Sequence, residues 1–208
     1  MSVGAGRPRG LLVALEGIDG SGKSSLARRL AALWRRRGWR VALAREPADP
    51  GLASAALRQA RGDPWSAAML FTLDRALSAE RLSRALATHD AVVQDRSFYS
   101  TLAYQGVDLP PRARSRLASL QRRFAVLPDR VVWLELAPEA ALARVAARGR
   151  TPAPTERLRV LARVDREYRR LARGARWDRF GADRPLDELV TAVDRALAPR
   201  IGRRLARR

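Results

Sequence analysis

The octapeptide Gly17-Ile18-Asp19-Gly20-Ser21-Gly22-Lys23-Ser24 constrains this chain more than any other feature. It matches G-x-x-x-x-G-K-[ST], a loop whose glycines let backbone N–H groups wrap a phosphate at the start of a helix. Its flanks supply the context the motif requires. Leu11–Glu16 (LLVALE) is apolar until its final acid, as a strand covered on both faces should be. From Ser24 to Arg37 leucines recur at helical spacing (Leu26, Leu30, Leu33), and Gly38 ends the run. In such a strand–loop–helix unit Lys23 reaches the β- and γ-phosphates of a nucleotide, and the Ser24 hydroxyl ligates Mg²⁺.

Short apolar runs alternate with longer helical stretches along the rest of the chain, the pattern of a parallel α/β fold. Further strands are expected at Arg40–Arg45, Ala91–Asp95, Arg130–Leu136 and, weakly, Ala175–Phe180. Helices are expected at Leu52–Arg61, Trp65–Thr88, Pro111–Phe124, Pro138–Ala147, from Glu156 onward, and at Pro185–Leu197. Ser97–Gly106 reads as a polar-aromatic loop, and Arg148–Thr155 (RGRTPAPT), with a glycine and two prolines, as irregular. The expected architecture is a three-layer α/β phosphate-loop fold: a five-stranded parallel sheet flanked by helices, with a small basic lid at about 148–157. One kinase-like domain over 11–198 would lie between a flexible basic extension, 1–10, and a frayed basic tail, 199–208.

Composition removes several chemistries. There is no cysteine and a single histidine, His89, so disulfides, thiolate metal sites, a cysteine nucleophile and a serine–histidine triad are all disfavoured. His89 precedes the third strand and reads as a surface residue. No apolar run approaches the roughly 18 residues needed to span a bilayer, and a soluble cytoplasmic protein is expected. The net charge of +20 invites a nucleic-acid partner. Its arginines are nevertheless spread along the chain and interleaved with acids, which is the pattern of solvated helix faces. Lys23 is the only lysine in the chain.

Four further strings join the phosphate loop LEGIDGSGKSS: Arg45-Glu46-Pro47, LFTLDRA at Leu70–Ala76, QDRSFYSTLAYQG at Gln94–Gly106, and PDRVVWLELAPEAALARVAARGR at Pro128–Arg150. In this order and spacing, from about Leu11 to Leu197, the chain closely resembles the thymidylate kinase family. The resemblance implies transfer of the ATP γ-phosphoryl group to dTMP, giving dTDP and ADP in dTTP biosynthesis, with Mg²⁺ as cofactor and a homodimer as assembly.

Phe71 and Arg75 lie four apart on a helix and project from one face, where a flat ring and a fork of N–H donors suit a pyrimidine. The resemblance assigns them to thymine, and adds Arg45, Glu46 and Pro47 to the dTMP site. Asp95, at the end of the third strand, can face Mg²⁺ and its waters, and Arg96 beside it would hold the acceptor phosphate. Resemblance gives Asp19 the substrate sugar and the organisation of the phosphates. Thr101 and Tyr104 fall where the family contacts deoxyribose and base, and an aromatic there would exclude a 2′-hydroxyl; for Tyr99 a place in this site and simple packing both stay open. Arg148, Arg150 and Arg157 are the lid cations. The phosphate loop itself carries no arginine, so the lid must supply the catalytic one, assigned here to Arg150. Together with Lys23, Asp19 and Arg96 it would form the catalytic set. The lid segment before Glu156 is short and proline-rich and lacks an aromatic found there in some relatives.

Three alternatives remain open. A deoxynucleoside kinase shares the phosphate loop and the acid-Arg-Ser string, but needs a carboxylate base just past the first strand. Another nucleoside monophosphate kinase would differ only in the base it accepts. A basic nucleic-acid-binding protein would use the loop as a switch, and no RNA-binding aromatic string or helix-turn-helix signature accompanies it.

Overall fold

Strand β1, Leu11–Glu16, is buried along its whole length, which the chain achieves by placing it at the centre of the sheet. The computed structural model describes residues 10–60, 62–147, 149 and 154–206. Around β1 lie β2 (Val41–Arg45), β3 (Ala91–Asp95), β4 (Arg130–Glu135) and β5 (Trp177–Gly181), all parallel, in the order β2-β3-β1-β4-β5. Helices α1 (Lys23–Arg36), α2 (Pro50–Gln59), α3 (Pro64–Thr88), α4 (Phe98–Tyr104), α5 (Pro111–Phe124), α6 (Pro138–Ala146), α7 (Leu158–Leu171) and α8 (Leu186–Leu205) connect and cover them. This is the expected α/β arrangement, with most element ends within one or two residues of the sequence reading.

The alternation of β1 divides the core. Leu11, Val13 and Leu15 join Leu26, Leu30 and Trp34 of α1 and Leu189, Val193 and Leu197 of α8. Leu12 turns the other way, to Val92 and to Leu86 of α3. Each such fully buried side chain contributes about 1.5–3 kcal/mol relative to exposure. Leu15 pairs with Asp95 and Asp95 with Arg45, so three strands finish level. Because the order reverses at β1, a crevice opens beyond these carboxyl ends, where ligands of open α/β sheets bind.

The structure departs from the sequence reading in three places. Ser97–Gly106 is not a loop: Ser97 accepts from Tyr99 N at the start of α4, and Phe98 and Leu102, one helical turn apart, are buried with Leu117 of α5. Second, α8 does not end at Leu197 but continues through Pro199 to Leu205, so 199–205 is not a frayed tail. The helix is held by the burial of Ile201 and by Arg204, which donates to Gly10 O at 2.8 Å and to both Asp129 carboxylate oxygens at 2.9 and 3.0 Å. Asp129 in turn accepts from Leu12 N at 2.9 Å, clasping the helix to β1. Third, α7 begins at Leu158 after a 3₁₀ turn, Pro154–Glu156, rather than at Glu156. His89 caps α3 and is half-buried, its Nδ1 3.0 Å from Ala85 O.

Candidate functional site

Two glycines of the phosphate loop cannot be replaced without displacing backbone. At Gly20, with φ +90°, a Cβ would lie 2.3 Å from Ala141 O; at Gly17, with φ +144°, 2.6 Å from Leu134 O. The loop is therefore pressed against β4 and α6. Gly22 stands at the N-cap of α1 and no side chain caps the helix, which leaves first-turn N–H groups for an anion.

Lys23 is buried inside this loop, its Nζ donating to Gly17 O at 2.9 Å, Ile18 O at 2.8 Å and Ser21 Oγ at 3.3 Å. Burial, and then the neighbouring Arg96 charge, push its pKa down to about 7 against the pull of Asp19, Asp95 and Glu16. An arriving phosphate would restore the ammonium charge. Ser24 Oγ, one residue on, donates to Asp95 Oδ2, while Asp95 Oδ1 is buried with no partner among the described residues. A hydroxyl beside a carboxylate with an unsatisfied oxygen is the donor chemistry of a hard divalent cation. Among the described residues no cluster of three or more His, Cys, Asp or Glu could hold a metal. Water and phosphate oxygens would therefore complete the shell, as suits Mg²⁺.

A cavity of about 430 Å³ adjoins the loop. Asp19, Arg45, Glu46 and Pro47 line one side of it, and Phe71 and Arg75 of α3 a second. Arg96, Thr101 and Tyr104 close it. Every residue that the resemblance assigns to the monophosphate thus borders this one space.

Arg75 is held there as a fixed fork. Its Nε and Nη2 donate to Glu46 Oε2 at 3.0 and 2.6 Å, Nη2 also to Thr101 Oγ1 at 3.2 Å, and Nη1 to Gln121 Oε1. Gln94 donates to the other Glu46 oxygen at 2.9 Å, and Gln121 donates to Thr72 Oγ1 at 2.7 Å. Burial raises the Glu46 pKa, with Arg75 opposing it. Asp74, beside Arg75, accepts from Ala48 N and Asp49 N and so closes the β2–α2 turn over the cavity.

Arg96 occupies φ +68°, a conformation uncommon for a side-chain-bearing residue. It donates to Asp19 Oδ1 and to Ser100 Oγ at 3.1 Å, and its guanidinium lies 5.3 Å from the Tyr104 ring centroid. Although burial opposes its charge, Asp19 holds its pKa well above the ordinary value. The Tyr104 hydroxyl accepts from Asp19 N at 3.0 Å, joining the loop to α4. Tyr99 packs between Phe98 and Trp177, with ring centroids at 4.0 and 4.8 Å.

Of the lid cations, Arg148 and Arg150 lie outside the described residues. Arg157 precedes α7 and is exposed, apart from the cavity; Glu156 beside it is buried and lines the cavity. Sequence reasoning misses Gln121, Ser100 and Glu16. Only Glu16 carries a local signal, an acid ending an otherwise apolar strand. The others are found through contacts between distant segments.

Comparison with known proteins meets the same segments. A model of the thymidylate kinase family matches residues 15–193. A thymidylate kinase of Xanthomonas euvesicatoria pv. vesicatoria is 42% identical over 153 residues, covering 70% of this chain and 65% of that protein. One of Xanthomonas campestris pv. campestris is 41% identical over 150 residues, covering 70% and 64%. A probable thymidylate kinase of Archaeoglobus fulgidus is 36% identical over 159 residues, covering 74% and 78%. The chain thus spans just under two thirds of the Xanthomonas proteins it matches. With the phosphate loop, the β3–α4 segment and β4–α6 all inside the matched stretch, the chain belongs to the thymidylate kinase family.

Proposed function

We propose that this chain transfers the γ-phosphoryl group of ATP to the 5′-phosphate of dTMP, giving dTDP and ADP. The observation that carries the reading is that one cavity beside the phosphate loop is bordered both by the Arg96 guanidinium and by the Phe71–Arg75 pair. That spacing suits an anion at one end and a flat base at the other.

Each residue has a task within it. The loop from Gly17 to Ser24 binds the ATP phosphates, with Lys23 at their centre. Ser24 and Asp95 are the residues that would hold Mg²⁺, which supplies charge neutralisation at the transferring phosphoryl group. Arg96, held against Asp19, positions the acceptor phosphate. A phosphate monoester is already anionic near neutrality, its second pKa being about 6, so no strong general base is required. Phe71 stacks on the base. Arg75, locked as a pure donor, matches a 4-oxo group and rejects a 4-amino group. Thr101 and Tyr104 contact the deoxyribose side, and Arg45, Glu46 and Pro47 complete the acceptor wall. Arg148, Arg150 and Arg157 form the lid, with Arg150 supplying transition-state charge.

On α3, Met69, Leu73 and Leu77 follow one another at four-residue spacing and are 40%, 47% and 70% exposed. This apolar stripe supports a homodimer formed through α3. Among the described residues no helix is long and apolar enough to cross a membrane, in keeping with a cytoplasmic enzyme.

The test is ATP consumption across a substrate panel. Turnover with dTMP and dUMP well above dCMP, and none with thymidine, is expected. Turnover of thymidine alone would replace the reading by a nucleoside kinase. Salt-sensitive DNA or RNA binding without any monophosphate turnover would replace it by a nucleic-acid-binding protein.

A further inference from the structure

α1, β2 and α3 enclose a second cleft of about 400 Å³, which Ser24 and Asp95 also line. Each element contributes one arginine: Arg28 from α1, Arg45 at the end of β2, and Arg81 from α3. Among the described residues none of the three forms an ion pair or a side-chain hydrogen bond, whereas Arg37 and Arg40 nearby are held by Asp194 and Asp90. Among the described residues Asp95 is the only carboxylate in the wall, against three arginines, so their balance is net positive. Between the arginines the wall is apolar, made by Ala27, Leu43, Ala44, Leu82 and Ala85. Apolar walls around clustered charge of one sign focus the field toward an anion.

We propose that this cleft is a second ligand site, taking a polyphosphate anion, either bare or borne by a nucleoside. Guanidinium forks from three directions suit phosphoryl oxygens, and the apolar wall offers a face for a base or ribose. The hydroxyl–carboxylate pair Ser24–Asp95 lines the same cleft, so a polyphosphate there could share a divalent cation held by the pair. Arg45 lines both cavities, so an occupant of the second cleft competes for a guanidinium that also borders the acceptor. Binding at the two sites is therefore antagonistic, and by linkage reciprocally so. The binding claim stands apart from the kinase reading; only its effect on dTMP rests on that reading.

The experiment is calorimetric titration of the full chain, loaded with Mg²⁺ and a non-hydrolysable ATP analogue so that the phosphate loop is filled. Tripolyphosphate in one arm and a nucleoside triphosphate in the other are the probes. Saturable one-to-one binding is expected, weakened about tenfold or more in the double variant Arg28→Ala/Arg81→Ala, since each lost charge-assisted contact counts. The same double variant should load the analogue and turn over dTMP like the parent. Tighter binding of the nucleoside triphosphate, lost in Leu82→Ala, identifies a nucleoside-borne ligand; equal affinities identify the bare polyphosphate. No binding beyond the analogue overturns the proposal. So does binding that is undiminished in Arg28→Ala/Arg81→Ala, or weakened equally by Arg112→Ala/Arg116→Ala on α5, because either outcome places the anion on the general basic surface.

Discussion

The Tyr168 hydroxyl donates to Glu16 Oε2 at 2.7 Å, joining α7 to the end of the central strand. Glu16 is fully buried and also accepts from Ser97 N and Ser97 Oγ, both at 2.7 Å, and from Ser100 Oγ at 2.6 Å. Ser100 in turn accepts from Arg96 and lies 3.0 Å from the Tyr168 hydroxyl. One carboxylate thus holds together the strand before the phosphate loop, the segment carrying Arg96, and α7.

Removing that carboxylate leaves several buried donors unmet. Glu16→Ala is expected to destabilise the fold by about 3 kcal/mol or more, and Tyr168→Phe, which removes one donor, by about 1 kcal/mol. Urea denaturation of the two variants measures this. A cost in Glu16→Ala no larger than in Tyr168→Phe would show that the network does not depend on the carboxylate.

Lys23→Arg should retain its far-UV circular dichroism and lose at least about a hundredfold in turnover, the scale associated with an electrostatic donor at the transition state. The Lys23 ammonium fits among Gly17 O, Ile18 O and Ser21 Oγ. A planar guanidinium is larger and aims its donors differently. Near-normal turnover in this variant would remove the lysine from the mechanism.

The depressed Lys23 pKa, about 7, makes nucleotide binding pH-dependent. Above pH 7 the ligand-free amine is neutral, and a bound polyphosphate re-protonates it. Proton uptake on binding is therefore expected at pH 8 and little at pH 5.5, with affinity falling by at most about tenfold per unit above pH 7. Calorimetry in buffers of different ionisation heat reads the uptake directly. Stability follows the same sign. Between pH 7 and the ordinary lysine value of 10.5 the unfolded chain holds more protons at this site, so the ligand-free fold gains from this group as pH rises. The gain is up to about 1.4 kcal/mol per unit, and Lys23→Met should abolish it.

Ile201→Ala is expected to cost about 2–4 kcal/mol, as for other fully buried aliphatic residues, although it lies beyond a proline near the end of the chain. Arg204→Ala should cost less, about 1–3 kcal/mol, because Asp129 keeps Leu12 N as a donor. Thermal denaturation of both variants checks the order.

What the sequence reveals, and what it hides, follows from the range of each interaction. The phosphate loop and the Phe71–Arg75 pair are legible because their chemistry lies within a few residues. Gln121 meets Arg75 across 46 positions and Tyr168 meets Glu16 across 152, and no local pattern marks either. The α4 segment reads as a loop because a helix this short is not stable by itself. It forms only once Phe98 and Leu102 are buried. The expected helix ends at Leu197, yet Leu197 and Ile201 keep four-residue spacing across Pro199 and are both buried. The family resemblance puts Arg45 beside the first cavity, which it lines, but no local pattern puts it beside the second cleft, whose other walls come from α1 and α3.

The fork of Arg75 has a consequence for how this pocket can change over generations. Its donors are bound to Glu46, Thr101 and Gln121, and Glu46 is shared with Gln94. Replacing the arginine alone would strand a buried carboxylate, and replacing the glutamate alone would strand a buried cation. No single step through the mesh is gentle, so under the base-reading role proposed for Arg75, altered base preference is reachable only by several coordinated replacements. A lineage carrying this arrangement would be expected to keep the shape and charge of this pocket while its basic surface drifts.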